Sequence, residues 1–592
     1  LTKTFELNKK DTTNRAQSSY LPAIFLLLAM VGAFLLLDAV LPLHGLWFHT
    51  ALLVPLSRAF LLPTDLLFHG WALSPTLLTS HNTPAPAIGL SWQETAFLLV
   101  ACLLLLLCYL LALRVLPGRS GRRYLIGSTL LLGALCVLIP VVTSQDLFSY
   151  IIYARMAVLY HLNPLSTSPQ SIASDPLYAH LYWTNQPSAY GPMWTMITYI
   201  LQWITDLFHT NNVAAMVLAL RLLGLCAHLI STLLVWSIAG QLQELRGIIA
   251  PKIRIRAALA FAWNPLLLFE ACVNAHNDII LLPFLLLAIW LFVRQARNPT
   301  PRIYQTCAGA ALLLAAATCI KVNLALLFPA FLLYLWSQPD RPLRRIQYIS
   351  LLTLLYIACI VALYALFWQN GAILSIVQIN PGTYRDINTV SEFLSHFYNS
   401  VAALSGAPLA ADIGSPAESF TRGVSLLIFA GLYGLCCWRA LSSRARLQTP
   451  IGLIRWMALV WLLYCAIGTP WFWPWYTAIF FALFALLEST ETETWQCGFL
   501  RLPLAARLLS FSLLSLYCFY TWAPYASMLP GLPGFRWAYL RGLWAWLLPL
   551  LFAARWPIYP GKTRNEGNEF DVGKGRECDK SGRAEAGPYD NI

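Results

Sequence analysis

Apolar and polar positions along this chain separate into long apolar runs joined by polar links, with little of the short-period alternation of a soluble sheet protein. Runs near twenty residues match the length a helix needs to cross a hydrocarbon core. Fourteen are predicted, at 21–43, 94–113, 124–142, 213–240, 256–273, 278–293, 304–320, 322–337, 346–368, 419–439, 453–469, 475–489, 503–520 and 537–555. The expected fold class is an all-α polytopic membrane protein. The first run exceeds the core of a signal peptide and lacks a small-residue cleavage pattern, so it is expected to remain a span.

Orientation follows from the links. Clusters at Lys9/Lys10/Arg15, Arg119/Arg122/Arg123, Arg246/Lys252/Arg254/Arg256, Arg294/Arg297/Arg302, Arg341/Arg344/Arg345, Arg439/Arg444/Arg446 and Arg555/Lys562/Arg564 all fall on one side of a fourteen-span scheme. That side is the expected cytoplasm. Segment 191–208 resembles a span, but counting it breaks this register, so it is predicted to lie along the outer surface or to dip in without crossing. Residues 1–20 then form a cytoplasmic segment and 21–555 the membrane domain. External loops occupy 144–212 and 370–418, and 556–592 form a charged cytoplasmic tail with a disordered composition.

Composition sharpens the picture in two places. The chain has 592 residues, 58% hydrophobic and 11% charged, with a formal net charge of +13. Because the cations sit in short links between apolar runs, the surplus marks membrane orientation and excludes a nucleic-acid partner. The fourteen cysteines show no CxxC and no Cys/His metal spacing, and most lie inside apolar runs as small packing residues.

Candidate chemistry gathers on the outward side. "SQDLFSY" places Asp146 where the chain leaves the run 124–142, with Ser144 or Thr143 as helix cap. Asp146, Tyr150 and Tyr153 stand at i, i+4 and i+7 on one helix face, and Arg155 points to a neighbouring sector within reach of a phosphate. Asp146 is either a complement to a helix dipole or a reacting group. "NAHND" sets His276, Asn277 and Asp278 between two apolar runs, either as a tight turn or as a polar site. Lys321 falls on the side where cations are disfavoured. It either snorkels to headgroups or meets a lipid phosphate, and Arg385 admits the same two readings. Glu270 and Arg221 lie inside runs near the outer half, where the sequence leaves a buried pair between them open. Tyr190, Trp475 and Tyr476 join Trp183, Trp194, Trp471 and Trp473 in an aromatic population that serves as interfacial belt or as platforms for sugar rings.

Carboxylates, a lysine and arginines in an outward cavity suit a lipid-linked phosphosugar donor. Polyprenyl phosphate is already a good leaving group, so the protein must supply a base for the acceptor hydroxyl and cations for the departing phosphate. No glycine-rich strand-to-helix loop of a nucleotide-sugar fold is present. "SQDLFSYIIYARMAVLYHLNPL", "YWTNQPSAYGPMW", "WNPLLLFEACVNAHND", "CIKVNLALLFP" and "PWFWPWY", in this order across roughly 120–480, resemble the polyprenol-phosphate-mannose-dependent α-mannosyltransferases of the GT-C superfamily.

That resemblance implies a bundle of about 14 transmembrane helices with surface-lying helices in a large first external loop. It implies an essential acid at Asp146, a place in the site for Asp278, and contact of Lys321 with the donor phosphate. The reading is an inverting transferase of a sugar, mannose by resemblance, from a polyprenyl-phosphate donor to an extracytoplasmic glycan or lipid acceptor. Asp146 is its base, and His276 and Asp278 are auxiliary. Lys321, Arg155 and Arg385 are the phosphate candidates, and Tyr150, Tyr153, Tyr190, Asn277, Trp475 and Tyr476 line the substrate. The expected partners are the donor, the acceptor and membrane lipids, in a bacterial cell membrane. No cofactor is implied, although an Asp/His/Asp metal site stays open. Segments 44–93 and 556–592 fall outside the resemblance. A transporter or flippase of lipid-linked glycan is the rival reading, as is a GT-C enzyme using another sugar or acceptor. A flippase has no need of a carboxylate against an acceptor hydroxyl.

Overall fold

The computed structural model describes residues 21–41, 90–118, 121–139, 143–208, 213–299, 301–375, 384–411, 413–443, 445, 447–491, 496–497 and 500–554. All fall in one compact unit. Most of 44–93, the segment 1–20, the tail 556–592, and Arg119, Arg444 and Arg446 lie outside the described residues.

The fold is all-α, and the polytopic expectation holds. Among the described residues nine helices are long and apolar enough to cross a membrane, with a tenth if the bent pair Pro251–Ala262 and Pro265–Cys272 is one span. Fourteen full-length spans is therefore more than the helices support one by one. Each predicted run does carry helix, but Val322–Ser337, Pro474–Glu488 and Trp537–Ala553 are short apolar helices, and Arg122–Leu138 has 17 residues. Local breaks shorten them. After Lys321 the chain leaves the helix in an extended conformation and resumes as a 3-10 turn over Val322–Leu327.

Helix starts follow ordinary capping chemistry. Ser91 and Glu94 form a reciprocal capping box. Thr389, Ser415 and Thr449 accept from the N–H groups of Glu392, Glu418 and Gly452. The 45° bend in the broken span sits at "NP", where the Asn264 side chain accepts from Leu266 and Leu267 and restarts the helix. This pair and the following turn are buried without interruption from Ala257 to Leu282, so polar residues there lie in the protein interior. Pro342–Ala365 and Pro416–Ser442 are the opposite case. Only 17% and 11% of their most apolar windows are buried, and the rest presents leucine, valine and phenylalanine outward, as lipid-facing helices do.

Segment 191–208 forms the helix Pro192–Leu207 and does not meet the length needed for a span. Its Thr195, Thr198, Gln202 and Thr205 are buried, while Tyr199, Ile200, Trp203 and Leu207 are exposed. Polar side inward and apolar side outward is the amphipathicity of a helix facing lipid.

Three successive spans carry cations at one end and the unusual polar residues at the other. The broken span runs from Lys252, Arg254 and Arg256 to Glu270, Asn277–Arg297 from Asp278 to Arg294 and Arg297, and Ile303–Ile320 from Arg302 to Lys321. At the cationic end Arg297 meets Glu244 at 2.7 Å and Arg507 meets Glu488 at 2.5 Å.

Candidate active site

Two segments distant in sequence are tied together by one hydrogen bond: the Thr143 hydroxyl donates to Asn274 Oδ1 at 2.6 Å. Thr143 is therefore not the helix cap. Ser144 takes part of that role, accepting from the Asp146 N–H at 3.3 Å, and the helix Asp146–Val158 begins without a side-chain cap on its preceding residue. Asn274 also donates to Glu270 Oε2 and to the Tyr517 hydroxyl, both at 2.8 Å, and Tyr517 donates to Glu270 Oε1 at 3.2 Å. Glu270 thus has its partners here, and not in Arg221, which donates to the carbonyls of Val137 and Ile139.

Ala275 takes a positive φ of 53°, turning the chain so that the fully buried His276 sits between carboxylates. Its Nδ1 lies 3.8 Å from Asp146 and its Nε2 3.4 Å from Glu270. The Tyr150 hydroxyl is 3.5 Å from Nδ1, and the Trp475 indole stacks on the imidazole at 3.6 Å. Burial, then the charge of Lys321, hold the His276 imidazole well below its usual range.

Lys321 Nζ donates to Asp278 Oδ2 at 2.6 Å and stands 3.7 Å from the Tyr476 ring centre. Its placement has a local cause. Backbone N–H of Gly191 donates to the Ile320 carbonyl, and a Cβ at Gly191 would overlap the Cys319 carbonyl. Only glycine permits that approach, and it presses Tyr190 and Trp194 against the point where the helix ends at Lys321. Tyr190 and Trp194 each meet Tyr150 edge-on at 4.9 Å.

The three acids differ in exposure. The side chain of Asp146 is 25% exposed, against 1% for Asp278 and none for Glu270. Burial pushes the Asp146 carboxyl up to about 6; Lys321 opposes the rise and Asp278 adds to it. Several buried polar atoms nearby lack a hydrogen-bond partner: both amide atoms of Asn277, Asp278 Oδ1 and Asn323 Oδ1. Orphans at such density mark a space made for water or a polar ligand. Among the described residues no three His, Cys, Asp or Glu side chains are arranged to hold a metal ion.

The structure thus gathers Asp146, Tyr150, Tyr190, His276, Asp278, Lys321, Trp475 and Tyr476, with Asn277 beside Asp278. Tyr153 lies on the same helix but donates to the Gln186 carbonyl at 3.0 Å. Arg155 stands apart, about 13 Å along the helix from Asp146. Its guanidinium is held by Asp175 at 2.8 Å, so it braces the 160–190 loop instead of joining the acids. Arg385 donates to the Tyr182 hydroxyl and lies over Trp471. From there rings run inward, Trp471 to Trp473 at 5.9 Å, Trp473 stacked on Trp475 at 4.9 Å, and Trp475 on His276.

The backbone behind this row was not foreseen from sequence. Ile387 pairs with Pro470 and Phe472, and it is fixed by buried ion pairs, Arg422 with Asp386 at 3.4 Å and Arg541 with Glu392 at 2.9 Å. The density of acids in "YRDINTVSEF" was the available signal. Tyr517, a site residue inside an apolar run, gave none.

The fold is that of an all-α polytopic membrane protein, with acids, a lysine and aromatic rings gathered at one pole. Residues 65–338 match the family model described as alpha-(1->6)-mannopyranosyltransferase, N-terminal domain, that of a GT-C mannosyltransferase family. The match takes in Asp146, His276, Asp278 and Lys321, and it begins inside the stretch 44–93 that the motifs leave out. No curated protein and no solved structure matches the chain.

Proposed function

We propose that this mannosyltransferase takes its sugar from a polyprenyl-phosphate donor and passes it, with inversion, to a glycan or lipid acceptor outside the cytoplasm of a bacterial cell. The observation that carries the reading is the meeting of Asp146, His276, Asp278 and Lys321 at one pole, with Asp146 the acid that keeps an open face. The acceptor oxygen attacks the anomeric carbon as the Asp146 carboxylate takes its proton. The bond from that carbon to the phosphate oxygen breaks, and polyprenyl phosphate leaves with the electron pair. Lys321, 15% exposed, offsets the charge on the phosphate as it departs. An α-linked product formed by inversion calls for a β-linked donor.

Asp278 holds the lysine. His276, flanked by Asp146 and Glu270 and stacked on Trp475, backs the base. The indoles of Trp471 and Trp473, half-buried and continuous with Trp475, offer stacking faces to the acceptor's sugar rings. A flippase requires none of this graded exposure among acids.

The test is Asp146→Asn in membranes given polyprenyl-phosphate mannose and a mannan acceptor. Transfer is expected to fall about 10²–10⁴-fold, the usual contribution of a positioned base, with donor binding retained. Transfer at the parent's rate would remove Asp146 from the reaction.

A further inference from the structure

At the cationic pole, remote from Asp146 and Asp278, the bundle has a half-open hollow of about 720 Å³. Its lining brings Arg114, Lys252, Arg256 and Arg507 together with one acid, Glu488. Arg507 grips both Glu488 oxygens, at 2.7 and 2.5 Å, and Arg256 Nε lies 3.8 Å from the same carboxylate. Among the described residues of the lining four cations face one carboxylate, with the exposed Lys252 and Arg114 at the edge.

Backbone adds to this charge. Two helices of 12 and 13 residues, Pro251–Ala262 and Leu502–Leu514, start at the hollow, contributing Lys252, Ile253, Pro503 and Leu504 to its wall. Neither start has a side-chain cap, so the N–H groups left beside Pro251 and Pro503 in the first turns, and the positive ends of both dipoles, lie at the same region. Backbone donors and cations in this arrangement are the ordinary ingredients of a phosphate site.

The rest of the wall is apolar. Leu110, Leu113 and Leu504 line it, and on the same helix Leu107 and Leu111 are 46% and 51% exposed on the outer surface. A path of leucine thus leads from the hollow to the lipid-facing side of a candidate span, which suits a hydrocarbon chain and has no use for a free ion.

We propose that this hollow binds the phosphate group of an anionic lipid, with its acyl chain along the Trp92–Val115 helix. The site is distinct from the transfer site. The broken span that begins at Lys252 ends beside His276, roughly 30 Å away at 1.5 Å per residue. A lipid held here would clamp the starts of two spans, the broken one and Leu502–Thr521, whose far halves carry Glu270 and Tyr517.

The experiment uses the full-length protein in neutral detergent. Native mass spectrometry counts bound lipid, and thermal unfolding is followed with phosphatidylglycerol, phosphatidylcholine or inorganic phosphate. One phosphatidylglycerol per chain is expected to be retained and to raise the unfolding temperature, with no such effect from phosphatidylcholine. Arg114→Ala/Lys252→Ala should weaken retention at least tenfold while unfolding without lipid, and mannose transfer in the same detergent, stay as in the parent. Lys252→Gln gives a milder second test, expected to weaken retention several-fold. Equal retention of both lipids, or undiminished retention by both variants, overturns the proposal. Stabilisation by inorganic phosphate equal to that by phosphatidylglycerol overturns the lipid assignment.

Discussion

Lys321 and Asp278 show how a membrane protein keeps charge inside itself. Each is tolerable only because the other lies 2.6 Å away, and removing one partner leaves an uncompensated buried charge, which typically costs about 3–5 kcal/mol. Lys321→Ala should therefore lower unfolding stability by about that amount. The double variant Lys321→Met/Asp278→Asn should recover most of the loss yet transfer no mannose. Chemical denaturation beside a transfer assay separates the two effects. Recovered transfer in the double variant would deny the lysine a part in the reaction.

Asp146 makes a different compromise. With its carboxyl raised to about 6, it binds a proton more tightly in the native chain than in the unfolded one, where the ordinary value is about 4. Its contribution to stability is therefore greatest below pH ~4 and is lost as pH rises from about 4 to 6. Activity runs the other way, since only the carboxylate accepts the acceptor's proton. The profile of kcat/KM should fall on the acid side with an apparent pKa near 6, and a flat profile between pH 5 and 7 would exclude this base.

At the scale of elements, the site depends on three places where helices stop. The broken span turns at Asn274–Ala275 to present His276, Ile303–Ile320 ends at Lys321, and Asp146–Val158 begins at Asp146. Gly191 ties the end of Ile303–Ile320 to the loop that carries Tyr190, through its contact with Cys319 and Ile320. Gly191→Ala, which needs no unusual φ, should act purely through that overlap. It should move Tyr190 away from Asp146 and lower kcat by tenfold or more, with a smaller change in donor KM. Unchanged kcat would show the approach to be dispensable. Behind the tryptophan row, Asp386 and Glu392 are paired with arginines contributed by two other helices, so the "PWFWPWY" segment owes its position to residues far from it in the chain.

For the whole molecule, the two poles are chemically opposite ends of the same helices, one crowded with arginine and lysine, the other with acids, amides and indoles. From the positive-inside preference we propose that the first pole faces the cytoplasm. In intact cells, Tyr182→Cys at the acidic pole should react with a membrane-impermeant maleimide, whereas Leu343→Cys, beside Arg344 and Arg345, should react only after lysis. Both positions are exposed. The reversed labelling pattern would invert the topology and move the transfer site to the cytoplasm.

Much of this was legible in the chain, because apolar run length and charge placement are local properties that a bilayer reads directly. The class, the polar pole, and the residues Asp146, His276, Asp278 and Lys321 all stood out as polar groups where apolar ones are the rule. Span lengths were less legible, since a proline, a 3-10 turn or an Asn cap shortens a helix without changing its hydropathy. Pairing was not legible at all. That Arg155 goes to Asp175, that Glu270 goes to Asn274 and Tyr517, and that Asp146 alone of the three acids keeps an open face are matters of distance and burial. Those are fixed only when segments far apart in sequence compete for the same space.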